Sequence, residues 1–249
     1  MYDKDYPQEY ITGRITFFGR DFVMTPDVLI PRLETESLVR RARQILNSPP
    51  LRGSQRGYPT QPPLQGEERT IVVDIGCGSG IIGTSVADLA DEVIFLDISP
   101  EALRVAEQNF RTHFPEKKAQ FIVSDLLSNL PTLKDSNIIF VTNLPYIKDE
   151  DWENMSADTV YEPKLALFWW EKTGFEMYER LFEQIVQFTT ILLSYYPTII
   201  WILIRSTRHC RRYRQKIPPV GVFIFCWLCW DREVRWGKII INSFYIDQT

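Results

Sequence analysis

Val72-Val73-Asp74-Ile75-Gly76-Cys77-Gly78-Ser79-Gly80 is an apolar run that closes on three alternating glycines. Unbroken apolar residues of this length read as a strand covered on both faces, the usual state in a parallel sheet. Glycines allow a sharp turn and close approach of a ligand, and a following helix N-terminus presents free N–H groups. Strands are predicted at Ile71–Ile75, Val93–Asp97, Gln120–Ser124 and Ile138–Thr142, and helices near Ile81–Leu89, Pro100–Arg111 and Phe175–Phe188. Strands alternating with helices in this way predict a Rossmann-like α/β fold.

Upstream, Gly13 and Gly19 punctuate short β-like runs, which predicts an N-terminal hairpin followed by a proline-bounded loop. Leu38, Val39, Ala42, Ile45 and Leu46 then fall at helical spacing within Thr35–Leu46. Residues 47–69 hold five prolines and three glycines, the composition of a flexible surface insertion.

The chain has 249 residues and a net charge of −4 that hides a split. Residues 1–188 carry 19 Lys/Arg against 29 Asp/Glu, and residues 189–249 carry 9 against 3. An acidic body argues against a general nucleic-acid groove, because phosphate binding is largely a Lys/Arg effect. Four cysteines without framework spacing, and an opening Met1-Tyr2-Asp3-Lys4-Asp5 without signal-peptide character, lead us to expect a reducing cytoplasm.

The glycine spacing G-x-G-x-G differs from the G-x-G-x-x-G of dinucleotide binders. Asp97 ends the second strand, placed for ribose hydroxyls, and Asp125 ends the third, placed for an adenine edge with Leu126 packing on the ring. The expected cofactor is S-adenosylmethionine, whose ribose wants a carboxylate and which has no phosphate needing a lysine. Asp74, Gly76, Cys77, Gly78, Ser79, Gly80, Asp97, Asp125, Leu126 and Asn143 are the candidate cofactor-site residues. Cys77 reads as a small side chain rather than a nucleophile. No metal is expected.

Asn143-Leu144-Pro145-Tyr146 follows the strand at Ile138–Thr142. An amide nitrogen is a poor nucleophile, and an enzyme helps by holding both N–H bonds with acceptors. The Asn143 side-chain oxygen and the carbonyl of Leu144 can supply them. Pro145 biases residue 144 to an extended conformation, and Tyr146 offers a flat face for a planar acceptor. Asn143, Pro145 and Tyr146 are the candidate catalytic residues, and Asn143 through Tyr146 the candidate substrate site. Positioning of this kind contributes up to ~7–11 kcal/mol in favourable cases.

Residues 10–36, with Gly13, Phe17, Gly19, Phe22, Pro26 and Leu29-Ile30-Pro31-Arg32-Leu33-Glu34-Thr35-Glu36, resemble the opening segment of protein-(glutamine-N5) methyltransferases that modify release factors. Asp74–Gly80, Asp97-Ile98-Ser99, Ser124-Asp125-Leu126-Leu127, Asn143–Ile147 and Tyr161-Glu162-Pro163 follow in that family's order. The resemblance covers roughly residues 10–188. It implies a class I S-adenosylmethionine-dependent methyltransferase sheet, a monomer, and methyl transfer to the glutamine of the Gly-Gly-Gln loop in class I peptide chain release factors. No stable nucleic-acid partner and no membrane are implied. Leu144 stands where the family tetrapeptide usually has proline, and the helical docking domain usual ahead of the hairpin has only nine residues' room here.

Three parts are therefore expected: hairpin and loop at 1–36, the methyltransferase body at 37–188, and residues 189–249 as a divergent or frame-shifted end of the same domain. In that last part Cys226 and Cys229 read as a chance pair, the Arg-rich 205–216 stretch as a solvated charge run, and the apolar runs as too short to span a membrane. His113 reads as a surface residue at a helix end, and Trp169 and Trp170 as packing residues. Two other functions stay open: an adenine-N6 methyltransferase on DNA or ribosomal RNA, and an inactive cofactor-binding relic.

Overall fold

In the computed structural model the elements are, in chain order, α1 (Gln8–Thr12), β1 (Arg14–Phe17), β2 (Arg20–Val23), α2 (Leu33–Asn47), β3 (Arg69–Ile75), α3 (Ile81–Val86), β4 (Glu92–Asp97), α4 (Pro100–His113), β5 (Ala119–Val123), β6 (Ser136–Thr142), α5 (Lys164–Leu167), α6 (Glu176–Leu193), β7 (Ile200–Ile204) and β8 (Val222–Cys226). The structure describes residues 3–47, 69–133, 136–145, 155, 157–167, 176–193, 200–204 and 222–226.

Six strands pair in the order β5-β4-β3-β6-β7-β8, every pair parallel. Residues 71–75 are all buried because β3 lies inside this sheet with both faces covered. Successive side chains point to opposite faces, so one apolar run feeds two cores. Val72, Val93, Phe95, Ile139 and Val141 meet α2, α3, α4 and the hairpin on one face. Ile71, Val73, Ile75, Ile94, Leu96, Ile138 and Phe140 meet α6 and the loop after β5 on the other.

From β3 the sheet grows to β4 and β5 on one side and to β6 on the other. A crevice opens at the carboxyl ends of strands where the winding reverses in this way, and ligands bind there in open α/β sheets. The fold thus places the glycine turn after β3 and the tetrapeptide after β6 side by side. The pairing of Ile75 with Thr142 carries that register to the strand ends.

The hairpin β1–β2 turns through Phe18 and Gly19, both with positive φ, as a two-residue hairpin turn requires. Asn109 of α4 fastens it to the sheet. Its Oδ1 accepts from Val23 N at 2.7 Å, and its Nδ2 donates to the carbonyls of Val23 and Ser79. His113 ends α4 half-buried, its Nε2 2.8 Å from the carbonyl of Asp21, a partner the sequence did not indicate. The next segment is held by Glu162, which accepts from Ile30 N at 3.0 Å and from the Arg32 guanidinium.

Element edges shift modestly from expectation. The third helix ends at Val86 and continues as a 3-10 turn through Leu89. β5 stops at Val123, and Ser124 bonds the carbonyls and amides of its own loop instead. α6 runs five residues beyond Phe188. β7 and β8 extend the sheet from within stretches read only as apolar runs. Among the described residues no helix is long and apolar enough to cross a membrane. Tyr146, the bulk of the 47–69 insertion, Trp169, Trp170, the Arg-rich stretch and Cys229 lie outside the described residues.

Candidate active site

At the switch point lies an open cavity of about 240 Å³. Gly76, Gly78, Asp97, Ser124, Asp125, Leu126, Leu144 and Pro145 line it from the strand ends. Pro26–Leu29, residues 163–166 and Met177 complete the walls. Seven sequence-predicted residues therefore meet in one hollow. Asp74, Cys77, Ser79, Gly80 and Asn143 are not among the lining residues.

The glycine loop divides by facing. Gly76 (φ 63) and Gly78 (φ 52) adopt the left-handed conformation that favours glycine, and Gly78 has open space where a Cβ would stand. Asp74 is wholly buried beneath the loop, its Oδ2 accepting from Gly83 N at 2.8 Å and so bracing the start of α3. Cys77 and Ser79 are buried, and Gly80 packs on Ala106 of α4. Burial, with Asp97 and Asp74 nearby, pushes the Cys77 thiol well above its usual range, the opposite of what a nucleophile needs.

Asp97 is the best-placed acid. Gly78 N donates to its Oδ2 at 2.8 Å and Ser99 N to its Oδ1 at 3.0 Å. A carboxylate has about four lone-pair positions, which leaves acceptors free toward the cavity. Burial raises its pKa, and the N–H groups of Ser99, Gly78 and Ile98 oppose that. Asp125 lies on the cavity wall and is paired with the Arg180 guanidinium of α6, a tie that sequence reasoning missed. Leu126 has φ 54, an uncommon conformation for a non-glycine residue, and lines the same wall.

Leu144 and Pro145 carry the tetrapeptide into the cavity. The Leu144 side chain closes on the turn so tightly that a Cβ at Gly76 would lie 2.7 Å from its Cδ2. Asn143 sits beside this contact. Its Oδ1 is buried and has no hydrogen-bond partner among the described residues, so an acceptor stands unsatisfied at the loop's base.

Asp74 gives a pH dependence to the fold. Burial pushes its carboxyl up to about 8, Gly83 N opposes, and Asp97 adds to the rise. The folded form holds the proton more tightly than the unfolded chain, whose group titrates near 3.8. That stabilisation is complete below the unfolded value and is lost as pH rises toward the folded one. Asp74→Asn keeps an acceptor for Gly83 without the ionisation. In urea titrations at pH 4 and pH 8 the wild type should lose stability relative to the variant at the higher pH; parallel curves would remove Asp74 from this account.

A parallel sheet of this order, with a glycine turn and acidic strand ends around one switch-point cavity, defines a class I methyltransferase fold. The methyltransferase-domain family profile matches residues 72–160. A release factor glutamine methyltransferase from Leptospira interrogans is 37% identical over 207 residues, which cover 79% of this chain and 66% of that one. Proteins of the same name from Enterococcus faecalis and Koribacter versatilis are 33% and 35% identical over 72% of this chain. The chain belongs to the release factor glutamine methyltransferase family. It spans 57% of the length of the Enterococcus and Koribacter relatives.

Proposed function

We propose that this protein transfers a methyl group from S-adenosylmethionine to the side-chain amide nitrogen of a glutamine in a peptide chain release factor. The observation that carries the reading is the shared cavity. Gly76, Gly78, Asp97 and Leu126 face the same hollow as Leu144 and Pro145. The residues fit the cofactor: Gly78 leaves room for close approach, Asp97 keeps free acceptors for ribose hydroxyls, and Leu126 offers an apolar face for a base. When bound, the cofactor supplies an electrophilic methyl group on a sulfonium.

The chain's own part is to bind and orient. The Asn143 Oδ1 and the Leu144 carbonyl accept the two N–H bonds of the glutamine amide and turn its nitrogen toward the cofactor side of the cavity. Leu144 is buried and Pro145 fixes the backbone before it, so the acceptors are held before the substrate arrives. No general base need act first, because the amide proton becomes acidic as the N–C bond forms. The glutamine belongs, in this proposal, to the Gly-Gly-Gln loop of a class I release factor, met by a single copy of the enzyme.

The test is transfer of labelled methyl to a release-factor fragment, to duplex DNA and to ribosomal RNA in parallel. Label on the fragment alone is expected, whereas label on nucleic acid alone would overturn the proposal. Asp97→Ala should weaken S-adenosylmethionine binding about 10- to 100-fold, the range for hydrogen bonds to a charged group, read by calorimetric titration.

A further inference from the structure

The Leu144–Pro145 peptide is a tertiary amide and has no N–H, so its carbonyl is the one polar group by which the plane can be anchored. The Tyr178 hydroxyl donates to that carbonyl at 3.2 Å. Tyr178 is 2% exposed and lies in the first turn of α6, next to Met177, which lines the cavity. Leu144, also 2% exposed, packs in the same core cluster as Tyr178, Leu181 and Phe182. A rigid helix thus reaches from beneath the sheet face to the oxygen expected to face substrate.

We propose that Tyr178 is a positioning residue for methyl transfer: its hydroxyl pins the Leu144 carbonyl so that the oxygen's second lone pair points to the acceptor amide. The inference rests on the glutamine-methyltransferase reading. A carbonyl oxygen has two lone pairs, so the tyrosine takes one and leaves the other. Pro145 restricts the φ/ψ of residue 144 but leaves the peptide plane free to tilt within that well. The hydrogen bond removes the tilt. Small misplacement of a reacting group costs far more in rate than in binding, so the loss should appear in kcat.

The test compares the full-length wild type with Tyr178→Phe, which keeps the buried ring and removes one oxygen. Methyl transfer to a release-factor fragment should fall about 3- to 10-fold in kcat, the usual worth of one hydrogen bond. S-adenosylmethionine affinity and melting temperature should stay as they are. An unchanged kcat would overturn the proposal. So would a kcat loss accompanied by equal losses of cofactor affinity and thermal stability, which would mark Tyr178 as packing alone. A readout independent of turnover is the carbon-13 resonance of the Leu144 carbonyl, which should move upfield in the variant; an unmoved resonance refutes the pin. If the wild type methylates no fragment while the resonance moves, the functional reading fails and the anchoring contact stands.

Discussion

Asn143→Ala should lower the rate of methyl transfer at saturating substrates by about 100-fold or more, the scale for losing a positioned hydrogen-bonding group at a reacting centre. S-adenosylmethionine affinity should stay within about threefold, since a change below RT ln 10 marks a contact not made. The division follows from where the residue sits. Asn143 is placed beside the glycine turn by the β3–β6 register but does not line the cavity, so the bound cofactor loses nothing directly. Its Oδ1 is buried and unpaired among the described residues. A buried acceptor in that condition carries a cost of about 1–3 kcal/mol, which an incoming N–H would relieve. Steady-state rates with calorimetric titration separate the two effects. Equal losses in rate and in cofactor affinity would mean that Asn143 holds the cofactor loop rather than the acceptor.

Gly80→Ala should destabilise the fold by about 2–4 kcal/mol, combining left-handed backbone strain with overpacking. At φ 71 an added Cβ would lie 2.8 Å from the Ala106 Cβ and 3.0 Å from its Cα. The Ala106 backbone belongs to α4 and cannot swing aside as a flexible side chain would. Gly78→Ala is the internal control. Its φ of 52 imposes similar strain, yet nothing lies within 4 Å of the added Cβ. That variant should lose only about 1–2 kcal/mol while obstructing the cavity that Gly78 lines. Chemical denaturation curves measure the first effect, and cofactor titration the second. Similar stability for both variants would show that α4 yields to the glycine loop.

The sheet was legible because its strands carry continuous apolar runs that end in glycine or aspartate. Those runs are dictated by burial on two faces, and the structure places them within two residues of where they read. Facing within the glycine loop was not legible. Asp74, Cys77, Ser79 and Gly80 turn inward while Gly76 and Gly78 turn outward, and a loop has no period from which to read that. Asn109, Glu162, Tyr178 and Arg180 were missed for another reason. Each acts on a segment 34 to 132 residues away in the chain, and a lone polar residue in a helix or turn gives no local sign of its partner. The strands β7 and β8 hid inside long apolar stretches whose length fits strand or helix equally well. A composition shift after residue 188 therefore proved a poor guide to whether sheet pairing continues there.

The central claim is that the tetrapeptide and the glycine turn converge so that a glutamine side-chain nitrogen receives the methyl group. Acid hydrolysis of a release-factor fragment labelled by this enzyme tests it at the atom. Methyl on the amide nitrogen should leave as labelled methylamine and return glutamate at that position, and Asn143→Ala should abolish most of that signal. Label that stays on an intact amino acid after hydrolysis would place the methyl on another atom and contradict the account.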